Sequence, residues 1–255
     1  MFDIQIKEKL DYFVVKYNQS NFIEKDPISI PHLFSKKEDI EVISLLVATI
    51  SWGNRVSIIK SATKMLKLMN HQPFDFIMNY KETDFNKISE LKHRTFNGFD
   101  FHFFILRLKN IYTNHNGLEN VFTKGFSNKN ESAQAISYFR NIFIPDELSS
   151  IRTSKHIANP LKGSASKRLN MFLRWMVRND DNNVDFGIWK NISPSKLSCP
   201  LDVHSGRTAR THHLLTRKQN DLKAVNELDI SLRNLDQSDP VKYDFALFGM
   251  GIEKE

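Results

Sequence analysis

The 255-residue sequence contains one cysteine, Cys199, and this scarcity excludes several kinds of cross-link. A disulfide within the chain needs two thiols, and a zinc or iron–sulfur site of the four-cysteine type needs four. The nine histidines form no HExxH motif, and the neighbouring pair His212 and His213 is poorly spaced for chelation. We therefore expect no metal site, no iron–sulfur cluster and a reducing, cytoplasmic compartment.

Glycine and proline are also scarce, with 9 and 8 residues respectively. So few turn-forming residues favour helices over a sandwich or barrel of many short strands. No apolar run approaches the roughly 20 residues that a membrane-spanning helix needs. Residues 1–9 have neither the basic start nor the apolar core of a secretory signal. These absences predict a helical protein without a membrane partner.

Hydrophobic residues make up 40% of the chain and charged residues 25%, a balance typical of soluble globular proteins. The length permits one large domain or two small lobes. The formal net charge is +7, which favours a polyanionic partner such as nucleic acid. An excess of this size is also common on proteins that bind nothing acidic, so charge alone leaves both interpretations open.

Apolar residues recur at helical spacing along most of the chain. Residues 40–50 are apolar nearly all round, which indicates a central, buried helix. Residues 4–17 and 132–143 are further predicted helices, and Val56 and Phe99 are expected to face inward. About ten to twelve helices and no convincing set of strands predict an all-α fold, far above the usual helical share.

Residues 160–210 contain two groups that can form a site. A turn with Gly163 leads into an amphipathic helix that opens with Lys167, and a second helix begins with Asp202 at its start. A helix N-terminus with other cations nearby disfavours the ammonium form of a lysine, and a carboxylate opposite can orient the amine. Both residues also have simpler interpretations, because Lys167 can be a solvated surface lysine and Asp202 an N-cap.

Other residues near this stretch are candidates for contact with nucleic acid. The turn at residues 161–166 would present backbone N–H groups to a phosphate, or it is an ordinary turn between helices. Lys167, Asn170, Arg174 and Arg178 share one helix face, which is either a DNA-facing stripe or a solvated surface.

Taken in chain order, the predicted helices and turns resemble the helix-hairpin-helix DNA glycosylase superfamily. Residues 41–69 look like two of its helices with a loop that enters DNA, and residues 160–178 look like the hairpin and the lysine-bearing helix. Residues 201–204, with Arg207, are similar to its Val-Asp-Thr-His followed by an arginine. The spacing of 35 positions between Lys167 and Asp202 is nearer the archaeal 8-oxoguanine glycosylase branch. The sequence also resembles DUF2400, an uncharacterised bacterial family of that superfamily.

The sequence departs from the superfamily pattern in three places. The hairpin keeps one glycine, Gly163, and Lys167 lies two positions further on than the family lysine. The loop at residues 51–55 lacks the glutamine that fills the gap left by a flipped base, and offers Trp52, Asn54 and Arg55 instead. The four cysteines of the iron–sulfur branch are absent.

The resemblance implies a fold, a reaction and a set of site residues. Residues 1–255 would form a single bilobal unit, with 36–178 in one lobe and 1–35 plus 179–255 in the other. The chain would be a monomer in the cytoplasm, associated with the nucleoid. It would flip a damaged base out of double-stranded DNA, with oxidised guanine as the candidate lesion. Lys167 would then attack the sugar with help from Asp202, form a Schiff base and cleave the strand.

The resemblance implies no cofactor other than a monovalent cation that such a hairpin can hold. The positions expected to bind DNA are Trp52, Asn54, Arg55, Lys162, Gly163, Ser164, Ser166, Arg174 and Arg207. The positions expected to line a base pocket are Trp175, His204, Lys242 and Asp244. Trp52 and Trp175 can equally be core aromatics, and His204 a structural hydrogen-bonding residue.

Two alternatives to a repair enzyme stay open. The altered hairpin and the missing glutamine fit a DNA-binding protein that keeps the fold but has lost the chemistry. The modest net charge also leaves room for a helical protein with no nucleic-acid role.

Overall fold

The computed structural model describes residues 4–128 and 131–253 of the chain. Thirteen α-helices account for most of this part of the chain, so the predicted helical class is confirmed. The helices are α1 (Ile4–Tyr17), α2 (Ser20–Glu24), α3 (Lys37–Ile50), α4 (Arg55–Leu68), α5 (Pro73–Asn79), α6 (Phe85–Ile88), α7 (Gly98–Asn114), α8 (Gly117–Asn128), α9 (Ser132–Phe143), α10 (Lys167–Val177), α11 (Val203–Thr211), α12 (Leu222–Leu235) and α13 (Tyr243–Ile252). The glycosylase-like arrangement of these helices stays a prediction.

Short 3₁₀ helices and one small hairpin complete the secondary structure of the described ranges. The 3₁₀ segments are Pro27–Ser29, Pro31–Leu33, Glu82–Asp84, Asp146–Leu148, Arg152–His156, Pro160–Lys162, Pro194–Lys196 and Pro240–Lys242. Strands β1 (Lys92–His93) and β2 (Phe96–Asn97) pair antiparallel, with His93 opposite Phe96. The prediction of a fold without strands therefore needs this one correction.

The chain divides into two compact units. The first, called here the C-terminal unit, comprises the described residues of 1–22, 126–137 and 158–255. The second, the N-terminal unit, comprises residues 23–125 and 138–157. The lobes predicted from sequence, 36–178 and 1–35 with 179–255, assign α10 differently, because they join it to the central helices. The single bilobal unit stays a prediction.

The N-terminal unit is built on α3. Every residue of α3 from Ile40 to Ile50 is buried, as a helix that is apolar nearly all round requires. The buried Glu41 is not left unpaired, because its carboxylate accepts a hydrogen bond from the Tyr112 hydroxyl at 2.7 Å. The two positions expected to face inward, Val56 and Phe99, are exposed instead.

The C-terminal unit has a core to which α1, α11, α12 and α13 contribute. Leu10, Ala209, Leu228 and Leu247 are representative members, and all are almost completely buried. Gly249 permits the close approach of α13 to α1, because a Cβ there would lie 2.2 Å from the Tyr17 ring. This packing fixes α13, and with it the position of Asp244.

No helix in the described ranges is long and apolar enough to cross a membrane. In the same part of the chain, no group of three or more His, Cys, Asp or Glu side chains is arranged to hold a metal ion.

Candidate functional site

The turn before α10 has the glycine-dependent form that the sequence predicts. Gly163 has φ +86°, a left-handed conformation that glycine adopts without strain. A Cβ at Gly163 would meet nothing within 4 Å, so its conformation and not its size requires glycine. The carbonyl of Gly163 accepts a hydrogen bond from the Leu222 N–H at 2.9 Å, which ties the turn to α12.

The segment before this turn departs from a hairpin of two α-helices. Residues 144–166 contain 3₁₀ segments, among them Arg152–His156 and Pro160–Lys162, and no α-helix. Ser166, the residue before α10, has φ +52° and is buried. A serine in this conformation is uncommon, and its carbonyl accepts hydrogen bonds from the N–H groups of Leu169 and Asn170.

Asp202 is the N-cap of α11, as its residue type and position indicate. Its Oδ1 atom accepts hydrogen bonds from the N–H groups of His204 at 2.9 Å and Ser205 at 3.0 Å. The Asp202 N–H donates in return to the Ser205 hydroxyl at 2.9 Å. The cap therefore holds the carboxylate through one of its two oxygens.

The other oxygen of Asp202 faces Lys167. The distance from Lys167 Nζ to Asp202 Oδ2 is 3.8 Å, although the two residues are 35 positions apart in the chain. Lys167 is the first residue of α10, so each partner lies at the start of a helix. The side chains of Lys167 and Asp202 are 30% and 40% exposed, so both groups are accessible from solvent. An ion pair this exposed adds little stability, about 0–1 kcal/mol.

A third helix start supplies a second acidic group. Asp244, near the beginning of α13, pairs with Arg174 of α10 and lies 4.0 Å from the Cys199 sulfur. Burial raises the pKa of Asp244 to about 6; Arg174 and Lys167 oppose the rise, and Asp202 adds to it. The carboxyl group thus responds to both members of the Lys167–Asp202 pair.

The segment that leads into Asp202 is anchored by Asp229, which sequence reasoning missed. Asp229 Oδ1 accepts a hydrogen bond from the Cys199 N–H at 2.9 Å. Burial raises the pKa of Asp229 to about 6, against hydrogen bonds from Ser198 and Cys199 and the charge of Arg233. The helical pattern of α12 conceals this role, because an aspartate there is expected on a solvated face.

The predicted stripe of exposed side chains on α10 is wrong. Arg174 and Arg178 are only 4% and 2% exposed, so they form neither a DNA-facing nor a solvated surface. Arg174 Nε lies 3.1 Å from Asp185, and Arg178 pairs with Asp185 at 3.2 Å. Arg178 also pairs with Asp180 and Asp239. Buried charges of this kind persist because each has several partners.

The other predicted positions of the C-terminal unit differ in accessibility. Lys162, Gly163, His204 and Arg207 are exposed, and Ser164 is half-buried. Trp175 is 1% exposed and belongs to the core, which agrees with the simpler interpretation of this residue. Lys242 pairs with Asp236 at 2.5 Å and with Asp11 at 3.8 Å, so its ammonium group is committed to those carboxylates.

The loop at residues 51–55 belongs to the N-terminal unit. The half-buried ring of Trp52 stacks on His156, with centroids 5.9 Å apart, and meets His93 edge-on at 5.2 Å. Asn54 is the N-cap of α4 and accepts a hydrogen bond from the Val56 N–H at 2.9 Å. Arg55 lies 3.7 Å from Asp26. Asn54 thus has a structural role, and Trp52 is held by two imidazole rings.

The part of the chain that matches a known protein family includes both Lys167 and Asp202. Residues 26–253 match the family described as "Protein of unknown function (DUF2400)". The chain belongs to the DUF2400 family. No curated protein and no solved structure matches this DUF2400 chain significantly. The relation of this DUF2400 chain to the helix-hairpin-helix glycosylases therefore stays an inference from its motifs.

Proposed function

We propose that the chain is a DNA base-excision glycosylase with AP lyase activity. The observation that carries the proposal is the separation of 3.8 Å between the Lys167 amine and the Asp202 carboxylate. These are the two groups that the reaction needs, a nitrogen nucleophile and an acid beside it. They are also the two residues that the motif pattern singles out.

The chemistry begins with extrusion of the damaged base, because its reacting atoms are inaccessible in a duplex. The neutral amine of Lys167 attacks the anomeric carbon of the sugar as the bond to the base breaks. Asp202 stabilises the positive charge that develops on the sugar, an effect that is strongest where water is excluded. The resulting Schiff base on Lys167 then permits elimination and strand cleavage.

Support for a DNA substrate comes from the surroundings of the pair. Lys162, in the turn before α10, and Arg207, on α11, are both exposed and can contact phosphates without sequence preference. The net charge of +7 favours the same polyanion. We propose double-stranded DNA with oxidised guanine as the lesion, a monomeric enzyme, and a location at the nucleoid.

Trapping with borohydride tests the proposal, because the reagent reduces a Schiff base to a stable adduct. We expect an adduct with wild-type protein on at least one duplex of a lesion panel, and none with Lys167→Ala. Lys223→Ala is the matched control, since Lys223 is an exposed lysine of the same unit with no predicted role. No adduct on any lesion, or equal trapping by Lys167→Ala, would overturn the proposal.

A second candidate is a DNA-binding protein without catalysis. It is favoured by the region before α10, which lacks the first α-helix of a complete hairpin. This candidate predicts DNA retention that falls steeply with salt, survives Asp202→Asn and is accompanied by no adduct.

A further inference from the structure

A cleft lies in the N-terminal unit, between the end of α4, the helix α5 and the segment that contains Asp84 and Lys87. Its volume is about 470 Å³, within the range of roughly 300–1,000 Å³ that is usual for small-molecule sites. Lys167 and Asp202 belong to the C-terminal unit and do not line this cleft. A ligand bound in the cleft is therefore a function beyond the proposed one.

One wall of the cleft is aromatic. Phe76 and Tyr80 are one helical turn apart, and their ring centroids lie 5.6 Å from each other. A hydrogen bond of 2.9 Å joins the Tyr80 hydroxyl to His102 Nδ1 and holds the almost fully buried Tyr80 ring in this wall. Phe76 is half-buried, so part of its ring is accessible to a ligand. Stacking on an aromatic ring favours a planar base, because every base has a π-face.

Three carboxamide side chains also line the cleft, and all three are exposed: Asn70, Gln72 and Asn79. Gln72 precedes α5 but its side chain makes no cap hydrogen bond there. Asn79 Nδ2 donates to the Asp75 carbonyl at 2.9 Å, which leaves its Oδ1 atom as an acceptor. Carboxamides can pair through two hydrogen bonds with the N6 and N7 atoms of adenine. The aromatic wall and the amides together suit a purine ring.

The charges around the cleft leave one cation available. The two lining aspartates are each paired with a lysine, Asp84 with Lys87 at 2.7 Å and Asp75 with Lys36 at 3.3 Å. Lys67, at the end of α4, is exposed and makes no ion pair with a described residue. Its ammonium group can therefore attract an anionic group of a ligand, such as a phosphate.

We propose that this cleft binds a free purine mononucleotide. The base stacks on Phe76, its edge forms hydrogen bonds with the carboxamides of Asn70 and Gln72, and its phosphate is attracted to Lys67. The volume suits one nucleotide. A strand of nucleic acid would bring further phosphates toward the Asp75 and Asp84 carboxylates, so a single nucleotide fits the charges better than a strand does.

Equilibrium dialysis of the full chain with radiolabelled adenosine monophosphate tests the site. Asn70→Gly should weaken binding roughly tenfold, because it removes a carboxamide that pairs with the base. Asn70 has φ +53°, a conformation that glycine adopts without strain, so this variant keeps the turn. His71→Gly is the matched control, since His71 is the next residue, has φ +55° and does not line the cleft. This control should bind like wild type.

Adenosine tests the role of the phosphate. Without that group it should bind wild type roughly fivefold more weakly than adenosine monophosphate at low salt. The difference should disappear in Lys67→Met, because the cation that attracts the phosphate is gone. Lys60→Met is the control: Lys60 is an exposed lysine two turns earlier on α4 that does not line the cleft, and its loss should preserve the difference.

Each contrary result overturns a defined part of this inference. No retention of adenosine monophosphate at millimolar concentration, or equal weakening by Asn70→Gly and His71→Gly, would overturn the site. Uridine monophosphate that binds equally well would overturn the purine, and an oligonucleotide that binds more tightly than the mononucleotide would overturn the free ligand. The borohydride test of Lys167 uses another unit of the chain, so failure of either proposal is distinguishable from failure of the other.

Discussion

Substitutions of Asp202 can separate its structural role from its chemical role, since each role uses a different oxygen. Asp202→Ala removes the acceptor of two backbone N–H groups at the start of α11. Loss of such a cap costs about 1 kcal/mol, with a range of roughly 0.5–2. Asp202→Asn keeps an acceptor oxygen, and asparagine caps helices about as well as aspartate.

The only property that Asp202→Asn removes is the negative charge of the side chain. The pair with Lys167 is separated by 3.8 Å and its side chains are 30% and 40% exposed, so its loss costs well under about 1 kcal/mol. The asparagine variant should therefore unfold in urea close to wild type, and the alanine variant should be less stable by about 1 kcal/mol. Both variants should form the borohydride adduct more slowly, by roughly 100-fold, because both lack the carboxylate that assists the lysine.

Asp221, the N-cap of α12, provides the matched control. Its side chain accepts a hydrogen bond from the Ala224 N–H at 3.1 Å, so Asp221→Ala also removes a cap. This variant should lose stability without losing trapping rate. Equal destabilisation by Asp202→Asn and Asp202→Ala would refute the assignment of the structural role to one oxygen of Asp202 and the chemical role to the other. Wild-type trapping by Asp202→Asn would refute the chemical role of the pair.

Three further predictions concern the surroundings of the site. Arg174→Met leaves the buried carboxylate of Asp244 without its arginine and Asp185 with one arginine in place of two, and should cost about 3–5 kcal/mol in urea unfolding; a loss below about 1 kcal/mol would contradict this ion-pair network. The pKa of Asp229 is raised from 3.8 to about 6, so its contribution to stability is full below pH 3.8 and is lost as pH rises through 6. Asp229→Asn should therefore gain up to about 3 kcal/mol relative to wild type between pH 4 and 7, and a constant difference would contradict the shift. Gly163→Ala should lower stability by about 1–2 kcal/mol in the same assay, through strain at positive φ and not through a clash, and an unchanged midpoint would contradict this.

Local signals were sufficient to predict much of the secondary structure and the two helix starts of the site. The bounds of α1 and α9 agree with the predicted segments 4–17 and 132–143, because apolar periodicity is strong there. Lys167 and Asp202 were placed correctly at helix starts because a glycine turn and a capping residue act over only a few positions. The distance between the two side chains depends on tertiary packing, for which only the motif resemblance gave a prediction.

The failures arise where distant residues decide the outcome. Helical periodicity assigns Arg174 and Arg178 to a polar, accessible face. Both are buried instead, where they pair with aspartates that are remote in the sequence. The β-hairpin at residues 92–97 was not predicted, because strands of two residues are too short to show an alternation of apolar and polar residues in the sequence. Val56 and Phe99 were expected to face inward from the helical spacing of apolar residues, yet both are exposed, as large apolar side chains often are on protein surfaces.

The cap at Asp202 has a consequence for comparing members of the family. Aspartate is favoured at a helix start because its side chain caps the backbone N–H groups there. A relative without enzymatic activity would therefore still be favoured to keep this residue. Lys167 receives no such benefit, because a half-exposed lysine at the first position of a helix contributes little to folding. The amino acid found at position 167 across the family is therefore a more informative marker of the proposed lysine chemistry than the one at position 202.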